Sequence, residues 1–390
     1  MTGSAADAHE ISIPAGDPGS GMPFRLVIKA RGARVEAARS EIGFAHRGLE
    51  KLAESMTWHS ARAVAERAGC ASPGIAGTCC CMAVESLFGV EVPARAKWLR
   101  TILCEAWRIR EGLSHAGRTL AHAGLPSRAA LLLSCRDSVE GWVRASFGAS
   151  GSSSRIGGVA RDLGGAESKR GRALMRRVRD EAGGAASALA GDRIFSDRTR
   201  GVGVISADAA SAWGVTGPSL RAAGQARDLR RDLPYLMYAG LDFEVPVGAE
   251  GDVFDRTVVR LLESTESARI VEEAMAMMEP GPLTAKEGAV VLPPAHEVYG
   301  GGEGLARHRR IMAGKQRLPA GEGCALVEAA SGEMGFHLVS DGSPRPYRFR
   351  VRSPSFALCQ AAPVILKGCA VEDVPMIVAS LGASASEADR

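Results

Sequence analysis

Apolar residues recur along this chain with two different periods, and the switches between them outline its elements. Near the start Phe24, Leu26 and Ile28 alternate as a strand, and Arg31-Gly32-Ala33-Arg34 supplies a turn into a second one. From about Gly48 the spacing becomes helical. It predicts helices over 48–66 and 75–88, the latter stopping before Gly89. Pro93 suits a helix start, and Leu99, Ile102, Leu103, Ala106 and Leu113 carry that helix to about 122. Further helices are expected at 128–147 and, strongly basic, at 167–190, separated by the Gly- and Ser-rich stretch Gly148–Gly165. Residues 200–250 read as irregular. Phe254, Val258, Leu261 and Leu262 begin a long helix to about 278, and 280–320 reads as loop.

Alternation returns in Gly332–Phe356, where Met334, Phe336 and Leu338, then Tyr347, Phe349 and Val351, flank an Asp341-Gly342-Ser343 turn. Short helices near 356–367 and 372–381 follow. Strand pair, helices, strand pair, helices is an α+β order with a helical core. Residues 1–21, small, polar and rich in Gly and Pro, read as a flexible arm. Residues 22–390 read as one domain: a β-hairpin at 22–45, a helical core at 46–285 and an α/β part at 320–390.

Composition narrows the function classes. The 390 residues are apolar enough for a large core, and a formal charge of +4 is too mild to imply nucleic-acid binding. The first residues have no basic start or apolar stretch of a signal peptide, and no apolar run reaches membrane-spanning length. The nine cysteines are odd in number and include no CxxC, which suggests free thiols in a reducing compartment. Cys79-Cys80-Cys81 invites a metal reading, but adjacent helical cysteines diverge around the axis, so small core residues are the simpler reading. Gly201-Val202-Gly203 lacks the third glycine of a dinucleotide fingerprint, Gly314-Lys315 is not a P-loop, and Gly300-Gly301-Gly302 reads as a linker. The arginines of 170–179 read as a solvated helix face.

Longer motifs carry a resemblance. The stretch GEMGFHLVSDGSPRPYRFRVRSPSF at 332–356 is similar to the C-terminal hairpin of the D subunit of NADH:quinone oxidoreductase (respiratory complex I). That family shares its fold with the large subunit of nickel–iron hydrogenases. Gly43, His46-Arg47-Gly48, Glu50-Lys51-Leu52, Glu105, Arg108-Ile109, Arg155-Ile156-Gly157-Gly158-Val159 and Arg161-Asp162 match further family motifs in order. The densest block runs through Gly214-Val215-Thr216-Gly217-Pro218, Leu220-Arg221, Asp228-Leu229-Arg230, Pro234-Tyr235 and Asp255-Arg256. The resemblance implies a hydrogenase-large-subunit-like fold, helical in its core with β-hairpins toward both ends. It implies a subunit that walls the cavity where quinone is reduced, the electrons coming from NADH through FMN and iron–sulfur clusters on partner subunits. Quinone is then the substrate, and this chain holds no cofactor and no metal. The partners are the other peripheral-arm subunits, above all the one with the terminal cluster, and the ion-translocating membrane-arm subunits. The place is peripheral, on the cytoplasmic side of the inner membrane.

The chain departs from the family where quinone is expected. Two-electron, two-proton reduction needs hydrogen bonds at the carbonyls and a proton donor. The family supplies a His from an H-P-S-T-H-G loop, a Tyr from an R-L-D-Y-V-S-P turn and an Asp behind the His. Here the loop reads Asp17-Pro18-Gly19-Ser20-Gly21-Met22, Cys70 replaces the Tyr, and the backing Asp falls on His122. The family's His after its fourth helix has no counterpart in Gly148–Ser154. Cys70, with an ordinary thiol pKa of about 8.5, is a poor stand-in for a phenol of about 10. Asp17 and His122 could form a reversed acid–base pair, the chain could be a catalytically silent paralogue serving assembly, or the exchange is coincidental. His46, Arg47, Glu50 and Arg67 keep family types near the expected cavity or the partner's cluster. His46 otherwise reads as a satisfied buried histidine, Arg47 and Glu50 as a helical-turn pair, and Arg67 as a surface arginine. A hydrogenase site is excluded, because its first cysteine pair falls on Gly69 and Ser72.

Overall fold

The structure, a computed structural model, describes residues 9–15 and 24–389. It is α+β, with three-stranded antiparallel sheets near both ends of a helical body. The first sheet is β1 (His9–Ala15), β2 (Phe24–Arg31) and β3 (Arg34–Glu41), in that order. Leu26 and Ile28 point into the core, and the β2–β3 turn sits on Gly32 at a φ of 60°. Part of the supposed arm is therefore a strand. Ile11 and Ile13 alternate and stand opposite Ile28 and Leu26, so β1 completes the hairpin as a third strand.

The expected helix over 48–66 is two helices, α1 (Leu49–Glu54) and α2 (Trp58–Ala68). The Ser55 hydroxyl donates back to the Leu52 carbonyl at 2.7 Å, and Thr57 adopts extended backbone. That break turns Trp58 into the core, edge-on to Phe88 at 5.2 Å. Then come α3 (Pro73–Phe88) and α4 (Ala94–His122), the central helix, which packs against α5 (Pro126–Phe147). Cys79, Cys80 and Cys81 are wholly buried in α3, as small core residues, and all nine cysteines are free thiols.

The stretch Gly148–Gly165 contains a small hairpin, β4 (Ser154–Arg155) and β5 (Gly158–Val159). It is held by Arg100, which pairs with both Glu85 oxygens and donates to the Arg155 and Gly158 carbonyls. Next are α6 (Gly165–Ala190), α7 (Arg193–Thr199), α8 (Ala207–Ala212), α9 (Pro218–Ala222), α10 (Leu229–Asp232) and the long α11 (Val253–Met277). The basic face of α6 is partly tied down: Arg179 pairs with Glu272 at 2.9 Å, and Arg172 donates to the Met275 carbonyl.

The region read as loop at 280–320 holds α12 (Ala295–Gly300) and α13 (Gly302–Met312), so the Gly300–Gly302 linker is a helix junction. The C-terminal sheet is β6 (Ala320–Ala329), β7 (Gly332–Asp341) and β8 (Arg348–Arg352), and it packs on α3. Met334, Phe336, Leu338, Phe349 and Val351 are buried as expected, whereas Tyr347 precedes β8 and is 67% exposed. Strand β6 escaped the pattern because Gly321, Gly323 and charged residues interrupt its alternation. The last described helices are α14 (Pro354–Leu366), α15 (Val374–Leu381) and α16 (Ala385–Ala388), the final one buried throughout.

Candidate functional site

Cys70 sits in the turn between α2 and α3. Gly69 caps α2, and a Cβ there would stand 2.4 Å from that of Ala76, so only glycine lets the turn approach α3 this closely. The Ser72 N–H donates to the Gly69 carbonyl at 2.9 Å, and Pro73 then starts α3. Cys70 remains at the surface, but its thiol contacts the Ser386 hydroxyl, with the Ser384 hydroxyl at 3.9 Å. The chain of polar groups continues inward. Ser384 and Ser386 hydroxyls are 3.4 Å apart, the Ser384 N–H donates to the Ser355 hydroxyl at 3.0 Å, and Ser355 contacts the Glu387 carboxylate. Burial raises the Cys70 pKa, the serine hydroxyls offset part of this, and the charges of Glu387 and Glu111 add to it. The thiol thus moves toward the range of a phenol, not away from it.

The same tail reaches the first family motif. Asp389 accepts the Gly43 N–H at 2.6 Å and the Ala45 N–H at 2.8 Å. Just beyond that turn, His46 and Arg47 are both exposed, so His46 is not a buried histidine; its place in a turn ahead of α1 leaves the ring outside the core. Glu50 turns to the C-terminal sheet, accepting the Val351 N–H at 2.9 Å and pairing with Arg348 at 3.4 Å. Arg67 is exposed on the last turn of α2, three residues before Cys70. The tail thereby gathers the Cys70 turn and the Gly43–Arg47 turn around itself.

His122 is not gathered with them. It ends α4 and is exposed, its pKa lowered by partial burial and by Arg118. The α4 residue whose charge reaches Cys70 is Glu111. His122 lies eleven residues further on, about 16 Å along the helix axis. Asp17, the other half of the reversed pair, lies outside the described residues.

Two groups escaped the sequence reading. The first is a buried pair one turn apart on α4, with Glu111 Oε2 3.4 Å from His115 Nε2 and Arg118 3.3 Å from His115 Nδ1. Burial, only partly offset by Glu111, lowers the His115 pKa to about 4 with help from Arg118 and Arg260. Burial alone would raise Glu111, but Arg110 and His115 bring it down to about 2. The Glu-to-His spacing of four was the available signal.

The second is an ionic network sealed inside the body. Arg230 pairs with Asp228 at 2.7 Å and Glu105 at 3.1 Å, and the Tyr238 hydroxyl donates to Glu105 at 2.6 Å. Arg221 pairs with Glu263 at 2.6 Å and Glu328 at 2.8 Å, while Arg108 donates to Glu263 at 3.0 Å. Burial would raise Asp228, but Arg230 and Arg221 hold it well below its usual range. For Glu328 burial prevails over the arginines, so its pKa is raised. Arg256 and Arg260, which bond mostly to carbonyls, are lowered by burial to about 10. Most members belong to the quoted motifs, which marks those motifs as scaffold: they place fixed charges where α4, α9, α10, α11 and β6 meet.

Comparison with known proteins agrees with the motif order. A family model described as the respiratory-chain NADH dehydrogenase 49 kDa subunit matches residues 135–390. The NADH-quinone oxidoreductase D subunit of Geotalea uraniireducens is 36% identical over 373 residues, covering 94% of this chain and 95% of that protein. The D subunit of Myxococcus xanthus is 36% identical over 386 residues, covering 95% and 91%. The C/D subunit of Bdellovibrio bacteriovorus is 37% identical over 369 residues, which is 94% of this chain but only 66% of that protein. With this coverage at both ends, the chain belongs to the family of the respiratory-chain NADH dehydrogenase 49 kDa subunit and is a subunit of the NADH-quinone oxidoreductase type.

Proposed function

We propose that this chain walls the quinone cavity of an NADH:quinone oxidoreductase and that Cys70 stands at the quinone headgroup. Electrons arrive from NADH through iron–sulfur clusters on partner subunits, and quinone reduction drives ion translocation in the membrane arm. One observation carries the reading: the turn where the resemblance expects a proton donor is at the surface and backed by a thiol–hydroxyl–carboxylate series, from Cys70 through Ser386 and Ser384 to Ser355 and Glu387. A thiol with a raised pKa stays protonated at neutral pH. The Ser386 and Ser384 hydroxyls beside it can relay a proton back from solvent after each transfer. Ser355 and Glu387, joined to Ser384 only through its backbone N–H, hold the turn in place. Arg67 and Arg47, exposed near the same tail-bound turns, supply positive charge toward a cavity or a partner's cluster, with His46 exposed beside Arg47.

Among the described residues no helix is long and apolar enough to cross a membrane. Attachment to the cytoplasmic side of the inner membrane then runs through partner subunits, for which the exposed Phe44 and Tyr347 are suitable anchors. The test is NADH:quinone reduction by the assembled complex. Cys70→Ala and Ser386→Ala should each lower the rate about tenfold to a hundredfold, while electron transfer to an artificial acceptor upstream of quinone is kept. Unchanged quinone reduction in both variants would refute the role of Cys70. The second reading, a silent subunit of assembly, is favoured by the absence of any described histidine from the Cys70 turn. It predicts a complex that assembles around this chain yet reduces no quinone. If the reversed pair operates instead, Asp17→Ala and His122→Ala, and not Cys70→Ala, will slow quinone reduction.

A further inference from the structure

Away from that site, the last turn of α13 and the segment after it face the turn Glu287–Ala289 across a cleft of about 540 Å3. Arg307, Arg310, Lys315 and Arg317 line it against a single carboxylate, Glu287. Four positive charges less one leave +3 in this cleft, against +4 for the whole chain. Arg307 is partly used, donating to the Gly288 and Val291 carbonyls at 3.3 and 3.4 Å, which fixes it as the cleft's wall. Among the described residues, Arg310, Lys315 and Arg317 make no ion pair. On α6, Arg176 and Arg179 share Glu272 and Arg172 binds the Met275 carbonyl; what sets the α13 patch apart is that its cations line one cleft. A second hollow of about 770 Å3 adjoins the cleft, shares Arg310 and Lys315 with it, and adds the apolar Ala306, Met312 and Ala313 beside Arg309 and His308.

We propose that this cleft binds a phosphate group carried on a larger molecule, either the headgroup of an acidic phospholipid or a free phosphorylated metabolite. Three chemical features point there. Unpaired guanidinium groups present planar pairs of N–H donors that match phosphate oxygens, and Lys315 adds a point charge. The excess of three charges suits a ligand with two or more negative charges, which one carboxylate does not supply. The volume is that of a small-molecule site, larger than a lone phosphate needs, and the Ala306, Met312 and Ala313 side of the adjoining hollow takes the rest of the ligand.

The test uses the full chain and two probes, inorganic pyrophosphate by calorimetry and phosphatidylcholine vesicles with or without phosphatidic acid by co-sedimentation. The double variant Arg310→Glu/Lys315→Glu changes exposed side chains only, and its thermal melting should match the parent. Its affinity for whichever probe binds should fall tenfold or more, about what loss of one charge-assisted hydrogen bond costs. The charge-matched control Arg170→Glu/Arg193→Glu should bind as the parent does. Binding to pyrophosphate that the double variant loses assigns a free phosphorylated ligand, and the same result with acidic vesicles alone assigns a lipid headgroup. Binding of neither probe by the parent, or equal loss in the control, overturns the proposal.

Discussion

Replacing Arg221 by methionine keeps most of the side-chain volume and removes the charge that directly binds two buried carboxylates and lies 3.6 Å from a third, Asp228, which Arg230 still holds. Arg221 is fully buried, and its guanidinium lies 2.6 Å from Glu263 and 2.8 Å from Glu328. At an effective dielectric of about 20, each contact is worth roughly 6 kcal/mol before desolvation is counted. The net loss is smaller because the two carboxylates respond differently. Glu263 keeps Arg108 at 3.0 Å. Glu328 keeps the Leu229 N–H at 3.2 Å, and burial already raises its pKa, so it takes up a proton. The expected cost is about 3–5 kcal/mol of unfolding free energy at neutral pH, the range for stranding a buried charge. It should shrink as pH falls toward the carboxylate range, where protonating Glu328 no longer opposes the solvent. Urea unfolding followed by the fluorescence of buried Trp58 and Trp107 measures it. Adding Glu328→Gln should recover part of the loss, since the stranded charge is gone. A cost under about 1 kcal/mol, or a double variant no more stable than Arg221→Met, would refute the account.

Other outcomes follow from single features. His59, whose Nε2–H donates to the Val290 carbonyl at 2.8 Å, and His115 are both lowered to about 4 by burial. Both are neutral in the fold and protonate first when unfolded. Their stabilisation is complete above about pH 6.5 and fades as pH falls toward 4, by up to about 3 kcal/mol each; unfolding titrations of His59→Asn and His115→Asn should show a flatter pH profile than the parent. Asp389→Ala removes two charge-assisted bonds, so amide exchange at Gly43 and Ala45 should accelerate and stability fall by about 3 kcal/mol. Gly217 has a φ of 70°, and a Cβ there would stand 2.4 Å from the Gly332 Cα. Gly217→Ala should cost at least about 1–3 kcal/mol in thermal unfolding; a neutral result would mean that the β6–β7 turn yields easily.

The fold was most legible where one period runs long. Helix α4 and the β7–β8 hairpin show themselves because each keeps one apolar period over many residues. What stayed hidden depends on partners remote in sequence. Strand β1 is short and is specified by the face of β2 it covers, and β6 by the floor that α3 provides. At the site, Cys70 and the Gly43–Arg47 motif stood out as departures from or matches to a pattern. Their common support could not: Ser384, Ser386 and Asp389 are ordinary small polar residues until folding brings them across more than 300 positions. The ionic network is similar in part: the Asp228–Arg230 pair is local, but Glu105, Glu263 and Glu328 meet Arg230, Arg108 and Arg221 from other helices or strands. His122 shows another limit: the register of the motifs puts it opposite Asp17, but it ends α4 exposed and Asp17 lies outside the described residues.

The tail also sets a timetable. The N–H groups of Gly43 and Ala45 wait for an acceptor made 346 and 344 residues later, and the Cys70 thiol for a hydroxyl 316 residues later. At ribosomal speeds of about 5–20 residues per second, that interval is roughly 20–70 s. For all of it the Gly43–Arg47 turn and the Cys70 turn lack the groups that tie them together. The core shares that wait, because Leu358, Ile365, Ile377 and Leu381 are among its buried residues and the central α4 packs on α11 and α15; closing the tail turn and completing the core are therefore one late event.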